Sequence, residues 1–551
     1  MTLARRATVV FLGTFAYLGW LAASRFVLVM NDEGIYLDGG LRVLHGQMPY
    51  KDFFSIAGPG TYALVAASFR VFGTTLMAAR MPVLWDIAMI TACLYWLVCK
   101  LSNSITALFT VLVYLPFATL TQTAVVANHR WDSSAWAILA GTLIVAAVEK
   151  SPLTLSVFAS FTAGMAAGIA AWCTPPVALA AAAIGVCLVV YHATRYLVLA
   201  YAGGVVVVFT AGIVWIASRG ALPAMLDSFR WTASNYSDAN RTWYGSVPGG
   251  YPHLLDGTSL GGAAIAIVLL AFFTLPATLP FFSSVWFWKR PPIRVVILMA
   301  VGVALIISAY PRWDLNHLTW VSAPFYALAA ALIALSPLHN VAALRRTAAL
   351  IVLLAAGSCL TITILQRLGE KAQVTNLGNI HGNPADLQLL AAIQSRVMPS
   401  DTLFVFPYRP LLYFLTGAHN PTRYPFLQPG MFPDHDEAEA LRQLSAHPPR
   451  WILYAHVSPQ TILLTWPSTD PRRLQMPKIE AFLRENYQEK EHWDDLQLLE
   501  SRAPLPGARG SMQLPAQNHE RQRLIGSYSL KPESETDRRL GTMREQLRAN
   551  R

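Results

Sequence analysis

The sequence is short of charge. Asp, Glu, Lys and Arg make up only 13% of 551 residues, whereas 54% are hydrophobic; soluble domains carry about 25% charged residues, so a wholly water-solvated chain is excluded. Cysteine is also scarce. Cys93, Cys99, Cys173, Cys187 and Cys359 all fall in apolar runs without a CxxC pair, and so read as small hydrophobes. Neither GxxxxGK[ST] nor HExxH occurs, which disfavours a nucleotide-driven transporter and leaves no zinc motif. No cofactor is assigned, and a divalent metal held by Asp32 and Glu33 stays open with no motif behind it. The net charge of +11 belongs to membrane orientation rather than to nucleic acid, because Lys and Arg gather in cytoplasmic loops.

What the chain has is long apolar runs. Stretches of spanning length lie at 7–29, 83–99, 104–122, 133–148, 155–172, 176–191, 196–217, 259–286, 294–309, 319–336 and 347–365, which predicts a polytopic α-helical membrane protein with about eleven spans. Ala22, Ala23 and Ser24 resemble a signal cleavage site, but cleavage there would detach the acidic cluster that follows; an uncleaved first helix is expected. Residues 58–73 are too short to span and read as a helix at the outer interface.

With the N-terminus cytoplasmic, Arg5, Arg6, Lys100, Lys150, Arg195, Lys289, Arg290, Arg294, Arg345 and Arg346 fall inside. The Asp32 loop, NHRWD (128–132), the loop 218–258, PRWDLNH (311–317) and the C-terminal region then share the outer face. Past the last run the pattern becomes α/β. Asn383 and Pro384 open a helix, 402–406, 451–455 and 496–500 read as strands, and 434–446 and 477–487 as helices. The expected organisation is a membrane domain over 1–365, a soluble α/β domain over 366–501 and a charged, disordered tail over 502–551.

Residues 30–60, MNDEGIYLDGGLRVLHGQMPYKDFFSIAGPG, carry more charge than almost anything in the next two hundred residues. Asp32, Glu33 and Asp38 either mark a membrane boundary or form a catalytic carboxylate cluster, and helical spacing pairs Asp32 with Tyr36 and Asp38 with Arg42. A carboxylate at membrane depth suits a general base toward a hydroxyl. Arg80, Arg312 and His317 face the same side; they either snorkel and pair with Asp314 or Asp86, or form a phosphate site. Arg130 and Asp132 offer a second acid and base but read mainly as a helix cap and boundary pair, Asp132 preceding the apolar run, and Tyr251, Pro252 and His253 beside Trp231 and Trp243 read as a weak sugar-site pattern. A transporter or flippase for a lipid-linked substrate predicts polar groups inside spans on both leaflets; a non-catalytic scaffold predicts that Asp32 is dispensable.

The blocks DEGIYLDGG, PYKDFFSIAGPGTYALVAASFRVFG, AARMP, PRWDLNHL and FVFPYRPLLYFLTG together resemble the GT-C superfamily of membrane glycosyltransferases, in the branch of protein O-mannosyltransferases and the lipid A aminoarabinose transferase. That resemblance implies transfer of a hexose or pentose from a polyprenyl-phosphate-sugar donor to a lipid, glycan or protein acceptor outside the bacterial inner membrane, with the C-terminus periplasmic. It implies Asp32 as base, Glu33 and Asp38 as assisting acids, and Arg80, Arg312 and His317 as donor-phosphate ligands. AGPG (57–60) departs from the His-Pro-Pro-type segment common among relatives.

Overall fold

The computed structural model describes residues 1–21, 25–26, 32–119, 125–149, 152–191, 193–246, 292–335, 342–375, 377–493 and 495–502. The apolar run 259–286, the Tyr251–His253 segment and the tail beyond residue 502 lie outside them.

Helix α1 (Leu3–Leu21) is followed by a two-residue strand β1 (Arg25–Phe26), then α2 (Glu33–Leu44), α3 (Pro59–Phe72), α4 (Leu76–Leu101), α5 (Ser104–Ala118), α6 (His129–Val148), α7 (Leu153–Cys173), α8 (Ala178–Val190) and α9 (Arg195–Ser218). Short helices α10 (Leu222–Trp231) and α11 (Ser237–Asn240) flank a π-turn, and α12 (Ile293–Ser308), α13 (Leu315–Val321), α14 (Ala323–Leu335) and α15 (Ala342–Leu368) complete the helical part. Among the described residues, α4, α6, α7, α9 and Ala349–Leu368 of α15 are long and apolar enough to cross a membrane, and four further apolar helices are shorter. Helix α3 has 14 residues, or about 21 Å at 1.5 Å per residue, less than a hydrocarbon core.

The helix starts are capped as their sequences require. Thr75 accepts from the Ala78 N–H at 3.1 Å and Asn128 from the Arg130 N–H at 2.8 Å, which assigns the α6 cap to Asn128 rather than to Asp132. Asp132 instead accepts from the Thr61 hydroxyl at 2.5 Å, tying α6 to α3. The two ends of the bundle are fixed by polar contacts. At one end Lys100 meets Glu149 at 2.5 Å and Arg294 donates to the Lys100 carbonyl at 2.8 Å, so residues of the predicted inner basic set do come together. At the other end Arg130 donates to the Ser308 carbonyl, and the starts of α4 and α6 lie beside the first loop.

The C-terminal region contains β2 (Lys371–Thr375), β3 (Gly378–Gly382), α16 (Pro384–Arg396), β4 (Leu403–Phe406), α17 (Leu411–Thr416), α18 (Asp434–Ala446), β5 (Trp451–Ala455), α19 (Pro459–Thr465), α20 (Pro477–Asn486), β6 (Tyr487–Trp493) and β7 (Leu496–Ser501). Its four-stranded sheet runs β4-β5-β7-β6, parallel at β4/β5 and antiparallel elsewhere. All four β4 residues are buried, as a strand covered on both faces requires. Strand β1 pairs with β3 in a second, three-stranded sheet with β2.

Met1–Ala503 is one compact unit. One apolar core runs from Ile35, Tyr36 and Leu37 of α2 through Phe69 of α3 to Phe404, Phe414 and Ile452, and Phe69 stacks on Phe414 at 5.6 Å between ring centres. Two glycines make this packing possible. A Cβ on Gly34 would lie 1.9 Å from the Leu411 nitrogen, and one on Gly58 2.1 Å from the Trp172 carbonyl oxygen; backbone sits where a side chain would be. The AGPG departure therefore lets the start of α3 close against the end of α7.

Candidate active site

Asp32 is the N-cap residue of α2, and its Oδ1 accepts a hydrogen bond from the Tyr408 hydroxyl. Tyr408 follows β4, so the C-terminal region reaches back over the first loop. Burial first, and then the Asp32 charge, push the Tyr408 phenol well above its ordinary value, which keeps it protonated as a donor. The same two causes raise Tyr36 well above its ordinary value and bring Tyr236 to about 12. Three neutral phenols thus feel the charge of one carboxylate, and Tyr408 bonds it directly.

Two guanidinium groups lie within electrostatic reach of Asp32. Arg312 bonds Asp314 at 2.8 Å and the Thr465 carbonyl at 3.0 Å; burial works against its charge, but Asp314 and Tyr236 outweigh it and keep it cationic. Arg130 faces Tyr236, Tyr36, Asp314 and Asp32. It is buried, and its Nε has no hydrogen-bond partner.

His317 completes the group. Asp314 caps α13, accepting from the His317 N–H at 3.2 Å and bonding Nδ1 at 2.8 Å. Burial alone would raise the Asp314 carboxyl, but His317 and Arg312 outweigh it and hold the group well below the carboxylate range. An ionised carboxylate only accepts, so Nδ1 carries the imidazole proton and Nε2 the lone pair. Burial, helped by Arg312 and Arg130 and opposed by Asp314, lowers the His317 pKa. His317 is therefore neutral at pH 7 and becomes a cation only by taking a proton at Nε2.

The other predicted residues are held in ion pairs of their own. Glu33 is fully buried and takes both oxygens to Arg80, at 2.6 and 2.7 Å, while the Ala127 N–H donates to it at 3.3 Å. The pair locks α2 onto α4, and Arg80 pairs with Glu33 rather than with Asp86. Asp38 bonds Arg42 at 2.9 Å, the pair expected from helical spacing, two turns beyond Asp32. Trp231 donates to Asp436 at 2.7 Å, a packing role, and Trp243 is exposed.

Tyr236 and Tyr408 carry no site signal in the sequence, and Arg130 stands there only as half of a second acid and base with Asp132. Arg130 read as a boundary charge, and the one signal for it is a cation between the Asn128 cap and an apolar helix. Nothing local marks Tyr408, since its partner is 376 positions away. Among the described residues no group of three or more His, Cys, Asp or Glu could hold a metal.

No protein-family model matches the sequence, nor does any curated protein. Solved structures do match. ArnT from Cupriavidus metallidurans bound to undecaprenyl phosphate aligns with a TM-score of 0.55 at 13% identity, over 89% of this chain and 97% of that one. Its apo state gives 0.54 at 15%, over 90% and 98%. The oligosaccharyltransferase AglB from Archaeoglobus fulgidus, in complex with an inhibitory peptide and a dolichol-phosphate, gives 0.50 at 12%, over 91% and 75%. At these identities the likeness is one of fold, and the chain is a helical membrane protein that shares the fold of these solved structures.

Proposed function

We propose that the protein is a membrane glycosyltransferase that moves a hexose or pentose from a polyprenyl-phosphate donor to an acceptor hydroxyl at the outer face of the bacterial inner membrane. The observation that carries this reading is the grouping of Asp32 with Arg130, Arg312 and His317 at one end of a GT-C bundle.

Each group has a distinct part. Tyr408 occupies Asp32 Oδ1 and leaves Oδ2 to take the proton of the acceptor hydroxyl, at hydrogen-bond distance as general base catalysis requires. The acceptor oxygen bonds the anomeric carbon as that carbon's bond to the phosphate oxygen breaks, and the phosphate leaves with the electron pair. Arg130 and Arg312 stabilise that charge in a site largely closed to water, and His317 adds a third cation when it is protonated. Glu33 and Arg80 neutralise each other, so in this reading they position α2 rather than touch substrate; Asp38 is likewise committed to Arg42.

Undecaprenyl phosphate in one structural neighbour and dolichol-phosphate in another support a lipid-phosphate partner for this chain. A flippase has less support, because the described charged clusters sit at the bundle ends. Mass spectrometry of envelope lipids, glycans and proteins from a deletion strain tests the proposal. It predicts that one sugar-bearing species is lost; an unchanged profile contradicts it.

A further inference from the structure

Behind the Tyr408 ring lies a second polar group that the proposed chemistry leaves unused. Tyr408 packs edge-on against Phe426 at 4.9 Å and Trp466 at 5.7 Å between ring centres. Two residues past Phe426, Gln428 is 1% exposed, and neither its amide oxygen nor its nitrogen has a hydrogen-bond partner. Three residues past Trp466, Thr469 is 3% exposed and its hydroxyl is also unpartnered. The two segments touch, since a Cβ on Gly430 would lie 2.2 Å from Thr469 Cγ2. Buried polar groups are nearly always satisfied, and a buried orphan in a native fold needs an explanation. Three such atoms thus lie in two adjoining segments whose aromatic neighbours pack on the tyrosine that holds Asp32.

We propose that Gln428 and Thr469, with the Trp466 ring beside them, hydrogen-bond the hydroxyls of a carbohydrate ring at the Asp32 site. This rests on the transferase reading and supplies it with a specificity element. The chemistry selects the ligand. The amide offers two donors and an acceptor, and the threonine hydroxyl both donates and accepts, which matches vicinal hydroxyls that do the same. The amide and the hydroxyl carry no charge, so the two side chains suit a neutral polar ligand better than a phosphate. A peptide amide, with one donor and one acceptor, would satisfy Gln428 and leave Thr469 orphaned. The aromatic rings of Trp466 and Tyr408 offer apolar surface to the C–H face of a sugar. The ring is either the sugar being moved or a sugar of a glycan acceptor.

The test uses full-length protein in detergent carrying Gln428→Leu or Thr469→Val, each near in size to the original and unable to make these bonds. Undecaprenyl phosphate without sugar is the first probe, and both variants are expected to bind it as the wild type does, because the phosphate ligands lie elsewhere. Failure of the wild type itself to bind it would count against the transferase reading and not against this cluster alone. Undecaprenyl-phosphate mannose, glucose, galactose and arabinose are the second probes. If the moving sugar occupies the cluster, one of them binds the wild type at least tenfold more tightly than the bare lipid phosphate, and Gln428→Leu removes that gain. If a glycan acceptor occupies it, no sugar adds affinity, and transfer in the complemented deletion strain falls at least tenfold with either variant. The proposal is overturned if both variants fold, bind every probe like the wild type and restore full transfer, since the orphan atoms would then be satisfied by water alone.

Discussion

The phenol of Tyr408 donates its proton to the carboxylate of Asp32 across 376 positions of chain. The bond ties the first loop to the segment after β4 and orients the carboxylate that the proposed chemistry uses. Hydrogen bonds to charged groups contribute about 1.5–3 kcal/mol, so Tyr408→Phe is expected to cost roughly 10- to 150-fold in kcat/KM while the protein folds and binds undecaprenyl phosphate normally. Steady-state kinetics together with a thermal melt check this; an equal loss of stability and activity would make the bond structural only.

Glu33 and Arg80 form a buried, bidentate pair. Removing one partner of such a pair leaves an uncompensated charge at a cost of about 3–5 kcal/mol. Arg80→Met and Glu33→Gln should each lower Tm and the yield of folded protein. The double variant should be more stable than the sum of the single losses predicts, as a double-mutant cycle in detergent would show. If Arg80 instead contacted phosphate directly, Arg80→Met would lose lipid-phosphate affinity at unchanged Tm.

His317 and Asp314 set an acid-side dependence. Both have folded-state pKa values below their ordinary ones, so the unfolded chain binds protons first and stability falls with pH. The His317 contribution is complete above about pH 6.5 and is lost as pH drops below it; the Asp314 contribution is complete above about pH 4. Thermal melts between pH 7 and 5 should show Tm falling, and His317→Gln should flatten that part of the curve. A parallel curve for the variant would contradict the assignment.

Gly34 leaves no room for a side chain against the α17 backbone. Gly34→Ala should force α2 away from Leu411 at a cost of about 1–3 kcal/mol, typical of overpacking, and should reduce activity beyond the loss of folded protein because Asp32 moves with α2. Activity per folded molecule, measured beside a melt, separates the two effects.

The elements that rest on local pattern were legible in the sequence. Asn383-Pro384 started its helix, LFVF and WILYA formed neighbouring strands, and Asp38 met Arg42 one helical turn away. Contacts made across long separations were not. Glu33 and Arg80 stand in different blocks, and nothing local to either announced their 2.6 Å bond. Arg130 read as a boundary residue because its companions, Asp32, Tyr236 and Asp314, come from three other segments. The β6 strand, YQEKEHW, is polar and mostly exposed at the sheet edge, so no apolar alternation announced it.

The central claim is that Asp32 takes the acceptor proton. The most direct measurement is mass spectrometry of the envelope in a deletion strain complemented with wild-type protein or with Asp32→Asn at equal membrane abundance. Asparagine keeps the size and can still accept the Tyr408 bond, but it cannot serve as the base. The account predicts that the sugar-bearing species missing from the deletion returns with wild-type protein and stays absent, or reduced at least a hundredfold, with Asp32→Asn; full restoration by Asp32→Asn would contradict it.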